Sequence, residues 1–534
     1  MKEIFNLSNT KVFLFYFLLF LLIYGLSNKL NILDYDLWAR LVQGKHVVQT
    51  GSVMYKDILS FVPTHTWYDP EWLSSAFFYL IIEKFGIISI TITKILLIFS
   101  SLVLITVGAH IVSNSKYSNL HLEYFTIILF TFFIGGSSGI YLRCQSFSYL
   151  LLPILICLLE LISKNYENKK SLLYLATIPF LMLFWLNAHG GCIAGVGIFV
   201  LYIIGRILNK KPVKKYLYTL LPTFLVFFIN PWGYKYIWFL LHSMTLDRSW
   251  IIEWQPLVGY DLLYDSVIVA ILVFLLLICV ARLIIEKFKN INYSKLIILI
   301  VTYYLSWAHY KHVPLFAICA GIYMYDDYLF IFRKISDCIR KKINFNEVCQ
   351  RYTILLKDIL VYIVVFGVSI FMIITAPIST SIVEKSIQTY PINMIEFLNK
   401  NNIKGNLFLP YYYASYAAYK THPNIKIFMD GRQEQVWDYE IFDRTMFFMY
   451  QILKPNMKPI VEEYEPDIFL LEEGWNYGDY VKNKPEKYVE IFSDGVNSLY
   501  IKINLAKSSY SMPETDRYDF NNMLDTKIDF KRKK

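Results

Sequence analysis

Four carboxylates flank one polar stretch near the N-terminus. Asp34 and Asp36 directly follow the first apolar segment, and Asp69 and Glu71 lie at the other end, in the sequence DPEW. Placing an acidic side chain near hydrocarbon costs free energy, so acids that are kept there usually have a functional role. A carboxylate can act as general base on a hydroxyl or amine. Alternatively, Asp34 and Asp36 would bind a divalent cation such as Mg²⁺ or Mn²⁺, which takes hard oxygen ligands. Asp57, which lies within the same stretch, is expected to be an ordinary loop residue.

The composition indicates that these acids belong to a membrane protein. Of the 534 residues, 56% are hydrophobic and only 18% are charged, against roughly a quarter charged in soluble domains. Apolar runs long enough to cross a hydrocarbon core of about 30 Å recur as far as residue 376. An outer-membrane barrel would need alternating segments of about 10 residues, which the sequence lacks. The net charge of +10 comes from basic residues gathered in short loops, so nucleic-acid binding is not expected.

The basic loops predict the topology of a polytopic α-helical protein. Segments 206–215, 282–295 and 333–357 are strongly basic, which favours the cytoplasmic side. Residues 72–85 are too short to span at about 1.5 Å per residue, so we expect them to lie at the outer interface. The chain then has eleven transmembrane helices, or twelve if this piece spans, with the N-terminus cytoplasmic in the cell membrane. The predicted spans are 11–28, 87–113, 119–137, 145–163, 171–187, 190–208, 215–230, 263–285, 294–309, 313–332 and 355–376.

The external loop 29–86 is predicted to carry two helices on the membrane surface. The first, from Asp36 to about residue 48, has one apolar side, with Asp34 or Asp36 as N-cap and Gly51 at its end. The second begins with Asp69 as N-cap and Glu71 in its first turn. Helix capping is therefore the alternative to a chemical role for all four acids.

Other polar residues occur in turns predicted to face the same side as this loop. Arg143 is either an interfacial arginine or an anion contact, and Lys311 with His312 forms a cationic pair suited to a phosphate leaving group. Asn187 and His189 form a polar break between two helices, with hydrogen-bonded packing as the alternative. The remaining polar candidates on this face are Asn230 and Glu253.

From residue 377 the composition becomes that of a small α/β domain, predicted to be extracytoplasmic and to end near residue 505. Helices are predicted at 392–400 and 439–453, and strands at 407–409, 425–429 and 467–471. Residues 488–492 and 498–503 are predicted to form a hairpin across Asp494 and Gly495. Asp430 and Arg432 are expected to form a structural turn and a salt bridge. The polar tail 506–534 is expected to be flexible.

Eight short motifs occur in order along the chain: DYDLW, DPEW, RCQSFSYLLLP, WLNAHGG, NPWGY, WIIEWQP, KHVPLFA and FMDGR. Together they resemble the GT-C superfamily of integral-membrane glycosyltransferases. That superfamily includes protein O-mannosyltransferases, oligosaccharyltransferases and the lipid A aminoarabinose transferase. The resemblance covers residues 33 to about 500, and matches a bacterial branch with a C-terminal extracytoplasmic domain. Here Ala39 and Arg40 stand where relatives often have Trp-His, and Cys144 where proline is commoner.

The resemblance implies transfer of a sugar from a polyprenyl-phosphate-linked donor to an acceptor outside the membrane, on an envelope glycan, lipid or protein. It implies that Asp34 or Asp36 is the base and that Asp69 and Glu71 are a second acid pair. The residues that it implies for the donor phosphate are Arg143, Lys311 and His312.

Two other classes of protein compete with this interpretation. A non-catalytic membrane scaffold or glycan-binding protein would bind glycan through residues 377–505 alone, with the loop acids dispensable. A transporter would carry acids at mid-membrane and inverted repeats, and the sequence shows neither.

Overall fold

In the computed structural model the chain divides into two compact units. The first contains Met1–Asn31, Thr91–Tyr234 and Ile251–Ile378, and the second contains Ile32–Ile90, Lys235–Trp250 and Ser379–Lys534. The structure describes residues 7–29, 34–86, 88–113, 120–134, 141–257, 262–343, 347–375, 390–432, 435–450, 452, 457–475, 477–513, 523–524 and 526–530.

Helices dominate the described residues. In chain order they are α1 (Leu7–Lys29), α2 (Asp36–Thr50), α3 (Trp72–Phe85), α4 (Ile88–Ser113), α5 (Leu122–Ile134), α6 (Gln145–Lys164), α7 (Lys170–Ala188), α8 (Cys192–Leu208), α9 (Lys214–Leu225), α10 (Tyr234–Ser243), α11 (Leu262–Ile285), α12 (Tyr293–Ala308), α13 (Val313–Tyr323), α14 (Tyr325–Ile343), α15 (Glu347–Thr375), α16 (Ile392–Lys400), α17 (Tyr411–Thr421), α18 (Tyr439–Tyr450), α19 (Ile460–Tyr464) and α20 (Gly478–Lys482).

The prediction of a polytopic helical membrane protein is confirmed. Within the described residues six helices are long and apolar enough to cross a membrane, and a seventh span results if the bent pair α13–α14 counts as one. Three further apolar helices, α5, α8 and α12, are shorter. Each of the eleven predicted spans contains a helix, but the span predicted at 313–332 is wrong as a single helix, because the chain bends by 56° between α13 and α14. The orientation of the termini stays a prediction.

Small residues allow the helices of the first unit to pack closely. A Cβ on Gly205 of α8 would overlap the backbone of Ser294 at the start of α12, and one on Gly195 would lie 2.6 Å from the ring of Trp185. Ser294 also donates a hydrogen bond of 2.9 Å to the carbonyl oxygen of Tyr202. Such small-residue contacts are the usual way in which apolar helices approach one another when there is no water to drive them together.

In the second unit α2 and α3 pack against each other, with the bounds of α3 as predicted. A Cβ on Gly44 of α2 would overlap the carbonyl oxygen of Ser75 in α3, so this contact requires glycine. Gly51 ends α2 as predicted, with φ of 70° and its N–H bonded to the Val47 carbonyl. The N-cap prediction for α2 is wrong: the N-cap is Tyr35, whose side chain makes no capping hydrogen bond.

The described residues of the C-terminal part contain a five-stranded mixed sheet. Its strands are β1 (Gly405–Phe408), β2 (Ile425–Ile427), β3 (Ile468–Glu472), β4 (Tyr488–Ser493) and β5 (Asn497–Lys502), in the order β2-β1-β3-β5-β4. The first three are parallel and the β4–β5 hairpin is antiparallel. The predicted strands and hairpin are confirmed to within a few residues. Helix α17, which begins with three tyrosines, was not predicted.

The polar stretch from Asp34 to Glu71, which we call the acidic loop, extends this sheet at its β2 edge. Ser60 forms a parallel bridge with Ile427, the Phe61 N–H donates to the Ile427 carbonyl at 3.1 Å, and the Ile427 N–H donates to the Leu59 carbonyl at 2.9 Å. An exposed edge strand carries unpaired backbone groups, and this segment pairs with those of β2. The loop that carries the candidate acids is therefore an integral part of the second unit.

Candidate functional site

Asp34 and Asp36 lie on either side of Tyr35 at the start of α2. Asp34 is buried and its carbonyl accepts a hydrogen bond of 3.1 Å from the Leu37 N–H. Asp36 lies against the backbone of the C-terminal domain: its Oδ1 is 2.5 Å from the position that a Cβ on Gly431 would take. The ring of Tyr35 packs 5.4 Å from that of Tyr412 in α17.

The buried ring of Trp38 fixes this end of α2 against the C-terminal domain. It lies 4.9 Å from Tyr416, 5.3 Å from Tyr419 and 6.1 Å from Tyr390, measured between ring centroids. Aromatic pairs at these separations contribute about 0.5–1.5 kcal/mol each beyond the area that they bury. The tyrosines of α17 are therefore the packing surface on which the start of α2 rests.

Asp69 and Glu71 form an ion-paired cluster with Arg40. The Arg40 guanidinium lies 2.9 Å from Asp69 Oδ1 and 2.9 Å from Glu71 Oε2. The prediction that Asp69 is the N-cap of α3 is wrong, because Glu71 holds that position and Asp69 instead accepts the Glu71 N–H at 2.9 Å. Burial raises the pKa of Asp69 to about 6, although Arg40 acts in the opposite direction.

Asp57 is not ordinary loop, contrary to expectation. Its carboxylate is fully buried, lies 2.6 Å from Arg432 Nη1, and accepts hydrogen bonds from the backbone N–H groups of Leu59 and Ser60. Arg432 also pairs with Asp430 at 2.8 Å, which confirms the predicted turn and salt bridge. Burial by itself lowers the pKa of Arg432, but the two carboxylates raise it above its ordinary value.

In the first unit, three polar residues from three different motifs meet. Glu253 lies 2.8 Å from Arg143 and 3.4 Å from Lys311, and we call these three residues the Glu253 cluster. The Lys311 ammonium also lies 4.0 Å from the ring centroid of Trp254, a cation–π distance. The ring of His312 packs edge-on to the same tryptophan at 5.7 Å. The predicted phosphate-binding residues of this unit therefore surround Glu253 and Trp254.

His189 is held in a chain of hydrogen bonds. The Trp185 indole N–H donates to Ser148 Oγ at 2.6 Å, and Ser148 lies 2.6 Å from His189 Nδ1. The Gly191 N–H donates to the same nitrogen at 3.1 Å. Because Nδ1 accepts from a backbone amide, the neutral ring carries its proton on Nε2. This arrangement fixes the tautomer and orientation of His189.

Asn187 and Asn230 make backbone contacts that shape their turns. Asn187 donates to the carbonyl oxygens of Leu183 and Ile229 at 2.9 and 3.1 Å. Asn230 donates to two carbonyls of its own turn and accepts the Trp232 N–H at 2.8 Å. These bonds are typical of residues that hold a turn in place.

A metal site receives no support from side-chain clustering. In the ranges that the structure describes, no group of three or more His, Cys, Asp or Glu side chains could hold a metal ion. Divalent cations usually take more oxygen ligands than two carboxylates provide. A cation bound by Asp34 and Asp36 stays a prediction.

The chain is similar in structure to solved membrane proteins, although sequence comparisons find nothing. No protein-family model matches the chain, and no curated protein matches it. It is similar to the crystal structure of ArnT from Cupriavidus metallidurans in the apo state, with a TM-score of 0.47 and 12% identity over 92% of this chain and 98% of that chain. For ArnT bound to undecaprenyl phosphate, the TM-score is 0.46 and the identity 9% over the same shares.

Proposed function

We propose that the protein is a membrane glycosyltransferase that moves a sugar from a polyprenyl-phosphate-linked donor to an acceptor outside the membrane. The observation that carries the proposal is the Glu253 cluster. It gathers the arginine of RCQ, the glutamate of EWQP and the lysine of KHVP, which lie far apart in the sequence. These are the motifs through which the sequence resembles polyprenyl-phosphate-dependent transferases.

The charges of the cluster suit a phosphate that leaves with a growing negative charge. Arg143 and Lys311 carry two positive charges against the single carboxylate of Glu253, so the cluster has a net charge of +1. Arginine presents a planar fork that binds phosphate oxygens in pairs, and lysine adds a compact point charge. Stabilisation of charge that develops in the transition state is usually the largest single contribution to catalysis.

In the proposed reaction Asp34 or Asp36 accepts the proton of the attacking acceptor group. The acceptor oxygen or nitrogen forms a bond to the sugar C1, the bond from C1 to the phosphate oxygen breaks, and polyprenyl phosphate leaves with that electron pair. Asp36 lies in the first turn of a 15-residue helix, whose N-terminal end carries partial positive charge, and Asp34 lies two residues before it. A carboxylate so placed can act as general base on an acceptor hydroxyl or amine.

Glycan analysis of a deletion strain tests the proposal. Mass spectrometry of envelope glycans, lipids and glycoproteins should show a species that is lost on deletion and restored by the wild-type chain. Asp34→Asn, Asp36→Asn and the double variant should together identify the base, with the double variant restoring none of the lost product. Asp479→Asn, which changes an exposed acid in the same unit, is the matched control. An unchanged glycan profile on deletion, or full restoration by the double variant, would refute the proposal.

A further inference from the structure

The segment that follows α2 is bound to the C-terminal domain over several residues. Beyond the bridge of Ser60 with Ile427, the Ser60 hydroxyl donates to the Phe428 carbonyl at 2.8 Å. The His65 N–H donates to the Val436 carbonyl at 2.8 Å, and the His65 ring lies 2.8 Å from Asp438. The segment therefore follows the chain of the C-terminal domain from β2 past the DGR turn.

Arg432 is the buried centre of this attachment. Its side chain is 1% exposed and sits between the rings of Trp67 and Trp437, with its guanidinium carbon 5.0 and 5.4 Å from their centroids. Its charge is matched by Asp57 of the loop and Asp430 of its own turn. Removing one partner from a buried ion pair leaves an uncompensated buried charge and is strongly destabilising, so this contact favours one position of the loop.

Gly431, the residue before Arg432, leaves room for the Asp36 carboxylate. A Cβ added to Gly431 would lie 2.5 Å from Asp36 Oδ1, and the next nearest atom is Cγ of the same carboxylate at 3.7 Å. Real Cβ atoms do not approach another heavy atom this closely, so any larger residue at 431 must displace Asp36. The turn that pairs with the loop through Arg432 thus also contacts one of the two candidate bases.

We infer that the turn Asp430-Gly431-Arg432 is a positioning element for Asp36. Arg432 fixes the loop through Asp57, and Gly431 defines the space that the Asp36 carboxylate occupies. The inference rests on the proposed function, since it assigns a role to residues that orient the proposed base. Neither Gly431 nor Arg432 is a catalytic residue here, because they act through Asp36 and Asp57.

Gly431→Ala tests the inference most directly, because it adds a single methyl group beside Asp36. A carboxylate displaced on the order of 1 Å from its productive position can lose about 100-fold in rate. The assay uses the full chain in nanodiscs, with lipid-linked sugar extracted from the deletion strain as donor and envelope from that strain as acceptor. We expect kcat to fall at least about 10-fold with the KM for the donor extract unchanged, because the donor phosphate is proposed to bind at the Glu253 cluster.

Gly478→Ala is the matched control, since its added Cβ meets only the Leu471 side chain at an ordinary 3.6 Å. Wild-type kcat in Gly431→Ala would overturn the inference. The proposed function is judged separately, by Asp36→Asn: if that variant is inactive while Gly431→Ala is fully active, Asp36 remains the base and only the positioning role fails.

Asp57→Asn provides a second route if Gly431→Ala folds poorly. The amide keeps the volume of the side chain but removes the charge that faces Arg432. We expect faster hydrogen exchange in residues 53–67 and a lower kcat, with the KM for the donor extract again unchanged. A loop that exchanges faster while kcat stays at the wild-type value would overturn the inference, because positioning would then have no effect on the chemistry.

Discussion

Arg40 lies between the carboxylates of Asp69 and Glu71, which would repel each other without its positive charge. Replacing Arg40 by methionine measures how much this contact stabilises the folded protein. Methionine keeps much of the apolar stem but removes the charge that lies 2.9 Å from both Asp69 and Glu71. The Asp69 and Glu71 side chains are only 4% and 16% exposed, so water can replace little of the lost interaction. A buried pair that loses one partner costs about 3–5 kcal/mol, and we expect a loss of this size at neutral pH.

The loss should depend on pH in a defined direction. Burial raises the pKa of Asp69 to about 6 in the folded wild-type chain, above its ordinary value of 3.8. The folded state then binds more protons than the unfolded state between these values, so this group makes stability fall as pH rises from about 4 to about 6. In Arg40→Met the pKa of Asp69 rises further, because Arg40 lowers it in the wild type, and the fall in stability extends above pH 6.

Thermal unfolding of the full chain in nanodiscs, followed by tryptophan fluorescence at pH 4.5, 6 and 7.5, measures this difference. The decrease in Tm caused by Arg40→Met should be smallest at pH 4.5, where Asp69 is protonated in both proteins, and largest at pH 7.5. The double variant Arg40→Met with Asp69→Asn should recover much of the loss at pH 7.5. A decrease in Tm that is equal at all three pH values, or no recovery in the double variant, would refute the reasoning.

Two further substitutions test packing and charge elsewhere in the chain. Gly44→Ala places a Cβ on the carbonyl of Ser75, and this overpacking should cost about 1–3 kcal/mol and lower the Tm. Gly197→Ala is the control: its Cβ would meet open space, so the Tm should not fall. Glu253→Gln removes the carboxylate that its two cationic partners share, which should tighten binding of polyprenyl phosphate in a nanodisc titration; weaker binding or none would contradict the proposed phosphate site.

The elements that depend on local sequence were predicted well. The bounds of α3 and α16 and the turn of the β4–β5 hairpin agree with the sequence predictions. Gly51 ends α2 because a positive φ of 70° suits glycine. Apolar length, turn residues and short-range periodicity all act within a few residues, so a single sequence contains these signals.

The elements that depend on distant partners were predicted poorly. Asp57 gives no local sign that it will be buried, because its partner Arg432 lies hundreds of residues away. Helix α17 opens with a run of tyrosines, which usually favours strands, and its packing against Trp38 of α2 overrides that preference. Arg40 is noticeable in the sequence, because Ala39 and Arg40 stand where relatives often have Trp-His. Only the structure shows that Arg40 pairs with both acids of DPEW.

These long-range contacts bear on the alternative of a separate glycan-binding domain. A fragment of residues 377–505 would lack Asp57, which leaves Arg432 buried with one carboxylate instead of two, and would expose the β2 edge that Ser60 now covers. Both changes are unfavourable, since an incompletely compensated buried charge costs several kcal/mol and an open edge strand invites association. The acidic loop and the C-terminal residues therefore stabilise each other, which is the arrangement expected if the C-terminal domain exists to hold the loop acids in place.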